Sequence, residues 1–539
     1  MKIFKLFPFA CAALMMSACS SDNDIEGGAT NPAGDAQYLA VNIVNVGTTP
    51  TGRAAVPGYE DGTTEESKIN KIRFYFFHAD GSAYGLKNAT GGVDNYIEKT
   101  TTTTAADGTN TVGAITNAIL VIEGTTKQAP ASVIAVVNPE SITPALGTDP
   151  KSLTELTNNL TGTQFYTIAT KDNFAMTNSV YVEAGRTVCP SLVAGHIGTD
   201  KTTAEANPVK IYVERVVAKV GADLSTLTAD VDGTGKYGMQ VGTYASKDIY
   251  AVIDGWGVAD ENDNAYVEKH ITNSWKDADL GISTWTTADY HRSFWETSPA
   301  FAAGTPTNHK FAEYTAQHND VLYTLPNTPT AATTDIYKND LTKFLVTATL
   351  KYKDGTGTWQ NAEICKYQGV EYLGIDALKE AIATTFNMYY TEAGGVYTPI
   401  QAGDVDFTTT GTSLKDYQVS PVLKTGKTYY KKNPTGTGYT PLTTENISTY
   451  PAEVREGGKA YYYIPIKHLG SDNSVAQYGV VRNHWYKVKV NSLKGFGTPV
   501  YAADKTIIPT MPDDSNTYLA AQINVLQWRV VSQDVNLGK

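Results

Sequence analysis

Tyr518-Leu-Ala-Ala-Gln-Ile-Asn-Val-Leu-Gln-Trp-Arg-Val-Val531 is the stretch from which the fold is read. Leu519, Ala521, Ile523 and Val525 fall on one side of an alternating pattern, and Leu526, Trp528 and Val530 on the other. A period of two belongs to a β-strand, whose successive side chains point to opposite faces. The turn-rich run Pro509-Thr-Met-Pro-Asp-Asp-Ser-Asn516 precedes it and a short polar tail follows. A long strand therefore closes the chain, behind a loop from which it can swing.

A second stretch near the other terminus matches it. Tyr38-Leu-Ala-Val-Asn-Ile-Val-Asn-Val46 aligns without gaps on Tyr518-Leu-Ala-Ala-Gln-Ile-Asn-Val-Leu526, with Tyr, Leu, Ala and Ile in register and Asn42 opposite Gln522. Two readings stand. Either these are ordinary terminal strands built from common β-formers, or both fit one groove, the first in its own molecule and the second in a neighbour.

Composition points the same way. Of 539 residues, 41% are apolar, enough for two or three domain cores. Tyr (34) outnumbers Phe (15), and Tyr and Thr suit half-buried pleated surfaces, so an all-β protein is expected. The net charge of −12, with no basic cluster, argues against nucleic acid as a partner. Of four cysteines, Cys11 and Cys19 fall in the export signal. Cys189 and Cys365 remain, too few for a disulfide framework.

Residues 1–19 read as a targeting segment: Lys2 and Lys5, an apolar core, then Met16-Ser17-Ala18-Cys19. Small residues before a cysteine resemble a bacterial lipobox, in which Cys19 becomes the acylated N-terminus. The alternative is an ordinary signal peptide with a chance cysteine. Residues 20–53 read as a propeptide containing a flexible linker and the first strand, 38–46. The stretch from Val46 to Gly58 is small, polar and broken by prolines, so it is an exposed, cuttable loop. Arg53 is either an inert loop arginine or a processing site before Ala54. Then follow an N-terminal domain (54–222), a C-terminal domain (223–510) and the terminal strand segment (511–539). Within the second domain, about 390–450 reads as a loop-and-hairpin insertion outside the core. One strong strand is expected over 211–220, and a helix over 375–386.

Catalytic patterns fail. Lys424-Thr-Gly-Lys-Thr428 lacks the first glycine of a phosphate loop, because Pro421 stands there. Asp260-Glu-Asn-Asp-Asn264 has Ala265 and Ile271 where an EF-hand needs Gly and Glu. No His-Glu-x-x-His, zinc spacing or Gly-x-Ser-x-Gly elbow occurs. Tyr290-His-Arg-Ser-Phe-Trp-Glu296 reads as a packed aromatic edge with a paired Arg and Glu. No enzyme, metal or cofactor is expected.

The C-terminal runs Tyr478-Gly-Val-Val-Arg-Asn-His-Trp-Tyr-Lys-Val488, Asn491-Ser-Leu-Lys-Gly-Phe-Gly-Thr-Pro-Val500 and 518–531 together resemble fimbrillins of Bacteroidales-type (type V) pili. The likeness is closest to the major structural subunit of the minor (short) fimbriae. It covers most of the chain and is loose over 390–450. It implies two transthyretin-like β-sandwich domains in tandem with small helical insertions. It implies lipidation at Cys19, transient outer-membrane attachment, and cleavage after Arg53 by an arginine-specific protease. The first strand, with Leu39, Val41 and Ile43, is then displaced. A neighbour's donor strand, with Leu519, Ile523, Val525, Leu526, Trp528 and Val530, takes its place. The implied partners are further copies, accessory anchor and tip pilins, and host or bacterial surface ligands, in adhesion and biofilm formation. The alternatives are a monomeric surface lipoprotein that binds glycans through Tyr and Trp, or an anchor or tip pilin.

Overall fold

The computed structural model describes residues 37–44, 59–61, 66, 68–100, 117–126, 128–142, 144–157, 159–161, 174–179, 181–183, 186–188, 190–270, 296–314, 321–328, 340–411, 414–443, 450–468, 478–509 and 518–529. Cys19, Arg53, Ala54, Cys189 and Val530 lie outside them, as do residues 290–295. Nine strands frame the two ends of the chain and the junction between its halves: β1 (Gln37–Val44), β2 (Tyr59–Asp61), β3 (Asn117–Ile122), β4 (Ile197–Gly198), β5 (Val209–Arg215), β6 (Ala218–Asp223), β7 (Val321–Thr324), β8 (His484–Lys494) and β9 (Tyr518–Arg529).

The N-terminal half is built on the order β4, β1, β5, Met176–Asn178, Ser132–Val137, Lys71–Phe77 and Tyr96–Thr100, with β3 also paired to β1. Ser132–Val137 is buried at every position, as β-branched residues are when both faces of a strand are covered. β5 serves two neighbours: residues 209–212 lie beside β1, and 213–215 beside Met176–Asn178. A strand that passes from one sheet to another in this way turns a sandwich corner. Leu39, Val41, Phe74, Leu120, Val133 and Ile211 meet in the enclosed core.

The C-terminal half is a second sandwich. One sheet runs β2, β9, β8, β6, β7. The other runs Gly238–Tyr244, Lys247–Ala259, Lys343–Lys353, Lys459–Pro465 and Thr498–Pro499. Their shared core takes Val220, Tyr486, Val488 and Leu519 from the first sheet and Ile249, Trp256, Phe344 and Val346 from the second. The fold is thus all-β, with two sandwich bodies and short helices.

Two sequence expectations need correction. The run 211–220 is not one strand. β5 ends at Arg215, Val216 and Val217 are fully buried, and β6 starts at Ala218 beside β8 in the other body. The passage between sheets therefore lies inside the apolar run. Each half satisfies the same period of two, so the pattern conceals a change of sheet. The insertion is also more than loops. It extends over 362–454 and has its own core, in which Leu378, Ile382 and Ala383 of the helix Ile375–Thr385 pack with Cys365, Val405, Phe407, Val419 and Leu423. Its strands are short and contribute few inward residues each, only Val405 and Phe407 from Val405–Thr408, so each carries too brief an alternation to stand out.

Candidate strand-exchange site

β1 is enclosed on both edges. On one it pairs antiparallel with β3, with Leu39 opposite Leu120 and Asn42 opposite Asn117. On the other it meets β4 at Tyr38–Gly198, then runs parallel to β5, with Val41 beside Val209 and Ile43 beside Ile211. Leu39 and Val41 are both 0% exposed. Removing β1 would strip ladder partners from β3, β4 and β5 and uncover that core. Full burial of such side chains stabilises by about 1.5–3 kcal/mol each, so the vacated slot would favour any strand that refilled it.

β9 begins with the same Tyr-Leu-Ala and lies in its own C-terminal body. It pairs antiparallel with β8, with Leu519 opposite Leu493, Ile523 opposite Val488, Val525 opposite Tyr486 and Leu526 opposite Trp485. Leu519 is 5% exposed in that core. On its outer edge β9 pairs only with β2, over Gln527 to Arg529. Most of that edge thus has no ladder partner among the described residues, which is the condition under which strands are exchanged.

Buried charges tie the two bodies together at the junction. Glu66 (1% exposed) takes Lys219 at 2.8 Å and the Tyr323 hydroxyl, and its backbone carbonyl accepts from Arg215 Nε at 2.8 Å. Glu296 accepts from Arg482 Nε at 2.7 Å and from the Arg482 backbone amide at 3.0 Å. Arg482 also donates to the carbonyls of Val267 (3.1 Å) and Tyr266 (2.9 Å). Glu296 therefore pairs with an arginine of the C-terminal run, 186 residues on, while Arg292 of its own cluster lies outside the described residues. Glu214 sits 3.8 Å from Lys269, and burial pushes its carboxyl above the ordinary range. Sequence reading passed over β2, Glu66 and Lys219. A lysine inside Val216-Val-Ala-Lys-Val220 was the available signal, since such a charge needs a buried partner.

Because removal of one member of a buried pair leaves its partner charged and uncompensated, Glu296→Gln should lower stability by about 3–5 kcal/mol. Chemical denaturation of the full chain measures it. A loss below about 1 kcal/mol, the value of an exposed pair, would show that the junction is wetter than its burial implies.

The acids of the Asp260–Asn264 run are taken by protein donors. Asp260 holds Lys343 and accepts from Asn308, Glu261 meets His309 at 2.9 Å, and Asp263 accepts from the amides of Ala302 and Ala303. Among the described residues no group of three or more His, Cys, Asp or Glu is placed to hold a metal ion. Lys427 pairs with Asp404 at 2.6 Å, beside a turn in which Gly426 has φ 86°. Burial pushes the Cys365 thiol up to about 12. No helix of the described residues is long and apolar enough to cross a membrane.

The insertion carries one distinctive surface. Tyr389–Ala393, Val396–Pro399, Tyr429–Lys432 and Tyr439–Pro441 form a four-stranded sheet. Its register puts Tyr390, Tyr397, Tyr430 and Tyr439 on one half-exposed face. Tyr397 and Tyr439 stack at 3.9 Å, and Tyr397 meets Tyr430 edge-on at 5.1 Å.

Two sandwich bodies, each with one terminal strand of the chain in its sheets, define the class: a tandem β-sandwich protein. Residues 38–215 match the family described as major fimbrial subunit protein (FimA), and residues 455–534 match the C-terminal family of the type IV major fimbrial subunit, fimbrillin. Both ends of the chain thus match fimbrillin family models, and these matches support a fimbrial subunit role. Among solved structures it is similar to a fimbrilin (fimA) from Porphyromonas gingivalis W83, at 12% identity over 92% of this chain and 98% of that one, TM-score 0.37. An inferred cell adhesion protein from Bacteroides eggerthii DSM 20697 matches at 13% over 93% and 98%, TM-score 0.36. The tip fimbrial protein Mfa3 from Porphyromonas gingivalis, with C-terminal truncation, matches at 11% over 92% and 100%, TM-score 0.31. No curated protein matches the chain in sequence. The family implies cell-surface fimbriae and assembly with other fimbrial subunits.

Proposed function

We propose that this chain is the repeating stalk subunit of a fimbrium. It is exported as a lipoprotein through Cys19 and cut between Arg53 and Ala54. It then polymerises when one subunit's β9 enters the slot that β1 leaves in the next. The carrying observation is the placement of β1, enclosed on both edges with Leu39 and Val41 in the core, while the matching β9 lies at a thinly covered edge. Strand addition to an open edge is a general mode of recognition. Head-to-tail donation does not close on itself, so it yields filaments rather than rings. Retaining β1 until export is complete protects the slot from uncontrolled pairing. The fibre serves adhesion and biofilm formation, with anchor and tip pilins at its ends.

Peptide mapping of fibres purified from cells tests the reading. Ala54 is expected as the mature N-terminus. Chains that keep an acylated Cys19 and form no oligomer ladder would end the stalk assignment.

A second reading, glycan binding, is favoured by the tyrosine face of the insertion, since exposed rings provide flat apolar area for sugar faces. Replacing Tyr390, Tyr397, Tyr430 and Tyr439 by Ser should then abolish retention on a glycan array without affecting assembly. Unchanged retention would remove the insertion from adhesion.

A further inference from the structure

We propose that β2 is a clasp that keeps β9 on its own subunit, and that the cut which frees β1 also loosens this clasp. The idea rests on the strand-donation reading for its consequence, but on a separate contact for its origin. Among the described residues β2 has one sheet partner, β9, which it meets in parallel: Tyr59 beside Gln527, Glu60 beside Trp528, Asp61 beside Arg529. Among the described residues these three positions are all that pair with the outer edge of β9.

The placement of β2 in the chain gives it a regulatory character. It lies between two anchors. Downstream, five residues after Asp61, Glu66 is buried and held by Lys219, Tyr323 and Arg215, on elements that the cut does not touch. Upstream, fifteen residues before Tyr59, Val44 ends β1, which is itself fixed between β3 and β5. Arg53 falls between the upstream anchor and β2. In the uncut chain a short strand is thus tethered at both ends. After the cut, Ala54 becomes a free terminus five residues before Tyr59, and the upstream tether is lost. Three-residue strands at free termini fray, because little pairing opposes the entropy gained.

One bond cleavage therefore acts at both ends of the exchange. It opens the acceptor slot of a subunit and weakens the hold on that subunit's donor. An uncut subunit neither accepts nor gives.

Hydrogen exchange on dilute, unassembled protein tests the clasp. The uncut chain, the chain cut after Arg53, and an uncut Tyr59→Pro/Glu60→Pro variant are compared at the amides of 518–529. Successive amides of a strand point to opposite edges, so two adjacent prolines remove whichever one faces β9. Cutting and the double substitution should each speed exchange there about tenfold, the equilibrium weight of freeing one residue's backbone. Amides of 117–122 stay protected in the uncut variant, because β1 remains, and this reports that the fold is intact. Unchanged exchange at 518–529 after cutting, or in the variant with 117–122 protected, overturns the clasp. The failure of strand donation is separately visible: fibres that form without residues 517–539 would refute donation and leave the exchange difference standing.

Discussion

Processed chains that end at Asn516 stay monomeric at concentrations where the full chain forms fibres. The truncation removes Leu519, Ile523, Val525, Leu526, Trp528 and Val530. Counted from a released, solvated strand, burying these six in a neighbour at about 1.5–3 kcal/mol each would be worth on the order of 10 kcal/mol or more gross, and loss of the home site, where Leu519 is already buried, is set against it. Ladder hydrogen bonds would add to it, and ordering the strand would subtract. Without that contribution the two bodies have only surface contacts to offer each other. The truncated chain should still fold. Its C-terminal core keeps Val220, Trp256, Phe344, Val346, Tyr486 and Val488, and among the residues whose burial is described it loses Leu519. Its stability falls, since β8 loses the strand along its edge. Sedimentation velocity and electron microscopy read assembly, and near-UV circular dichroism reads folding. Fibres that persist in folded, truncated protein would refute donation by β9.

The elements that govern this proposal were legible for a physical reason. β1 and β9 both show a period of two, in β9 with a change of apolar face at Val525-Leu526, and their shared Tyr-Leu-Ala-x-x-Ile places like residues at like positions. Strand Ser132–Val137 carries a comparable local signal, with β-branched Val133, Ile134, Val136 and Val137 in a segment buried throughout. The junction was not legible, because alternation says which face a residue uses but not which sheet its strand has joined. β5 and β6 therefore read as one. The clasp was invisible for another reason. Tyr59-Glu-Asp61 carries no periodicity and becomes a strand only because β9 offers it an edge. Glu296 and Arg482 were each noticed in their own segments, yet the pairing across 186 residues is a product of the fold.

A chain carrying Asn117→Cys and Gln522→Cys should yield fibres that run as a covalent ladder on a non-reducing denaturing gel. In β1, Asn42 stands directly opposite Asn117 of β3. Aligning Tyr518 on Tyr38 puts Gln522 where Asn42 stands, Leu519 where Leu39 stands and Ile523 where Ile43 stands. Residues directly opposite in an antiparallel pair have Cα atoms about 4.5–5.5 Å apart, within the range a disulfide spans. Within one subunit the bond has no route while β9 remains at home, because Gln522 there stands opposite Lys489 of β8. A ladder therefore reports transfer between copies and fixes its register at once. The register is strict, because a slip of one residue would turn Leu519 and Ile523 out of the core they are needed to fill. An Asn117→Cys/Ile523→Cys pair tests that strictness: its fibres should form and stay non-covalent under the same oxidation. A ladder from the second pair and none from the first would mean that the donor enters one residue out of step with the strand it replaces, and that the likeness between 38–46 and 518–526 does not determine how the subunits join.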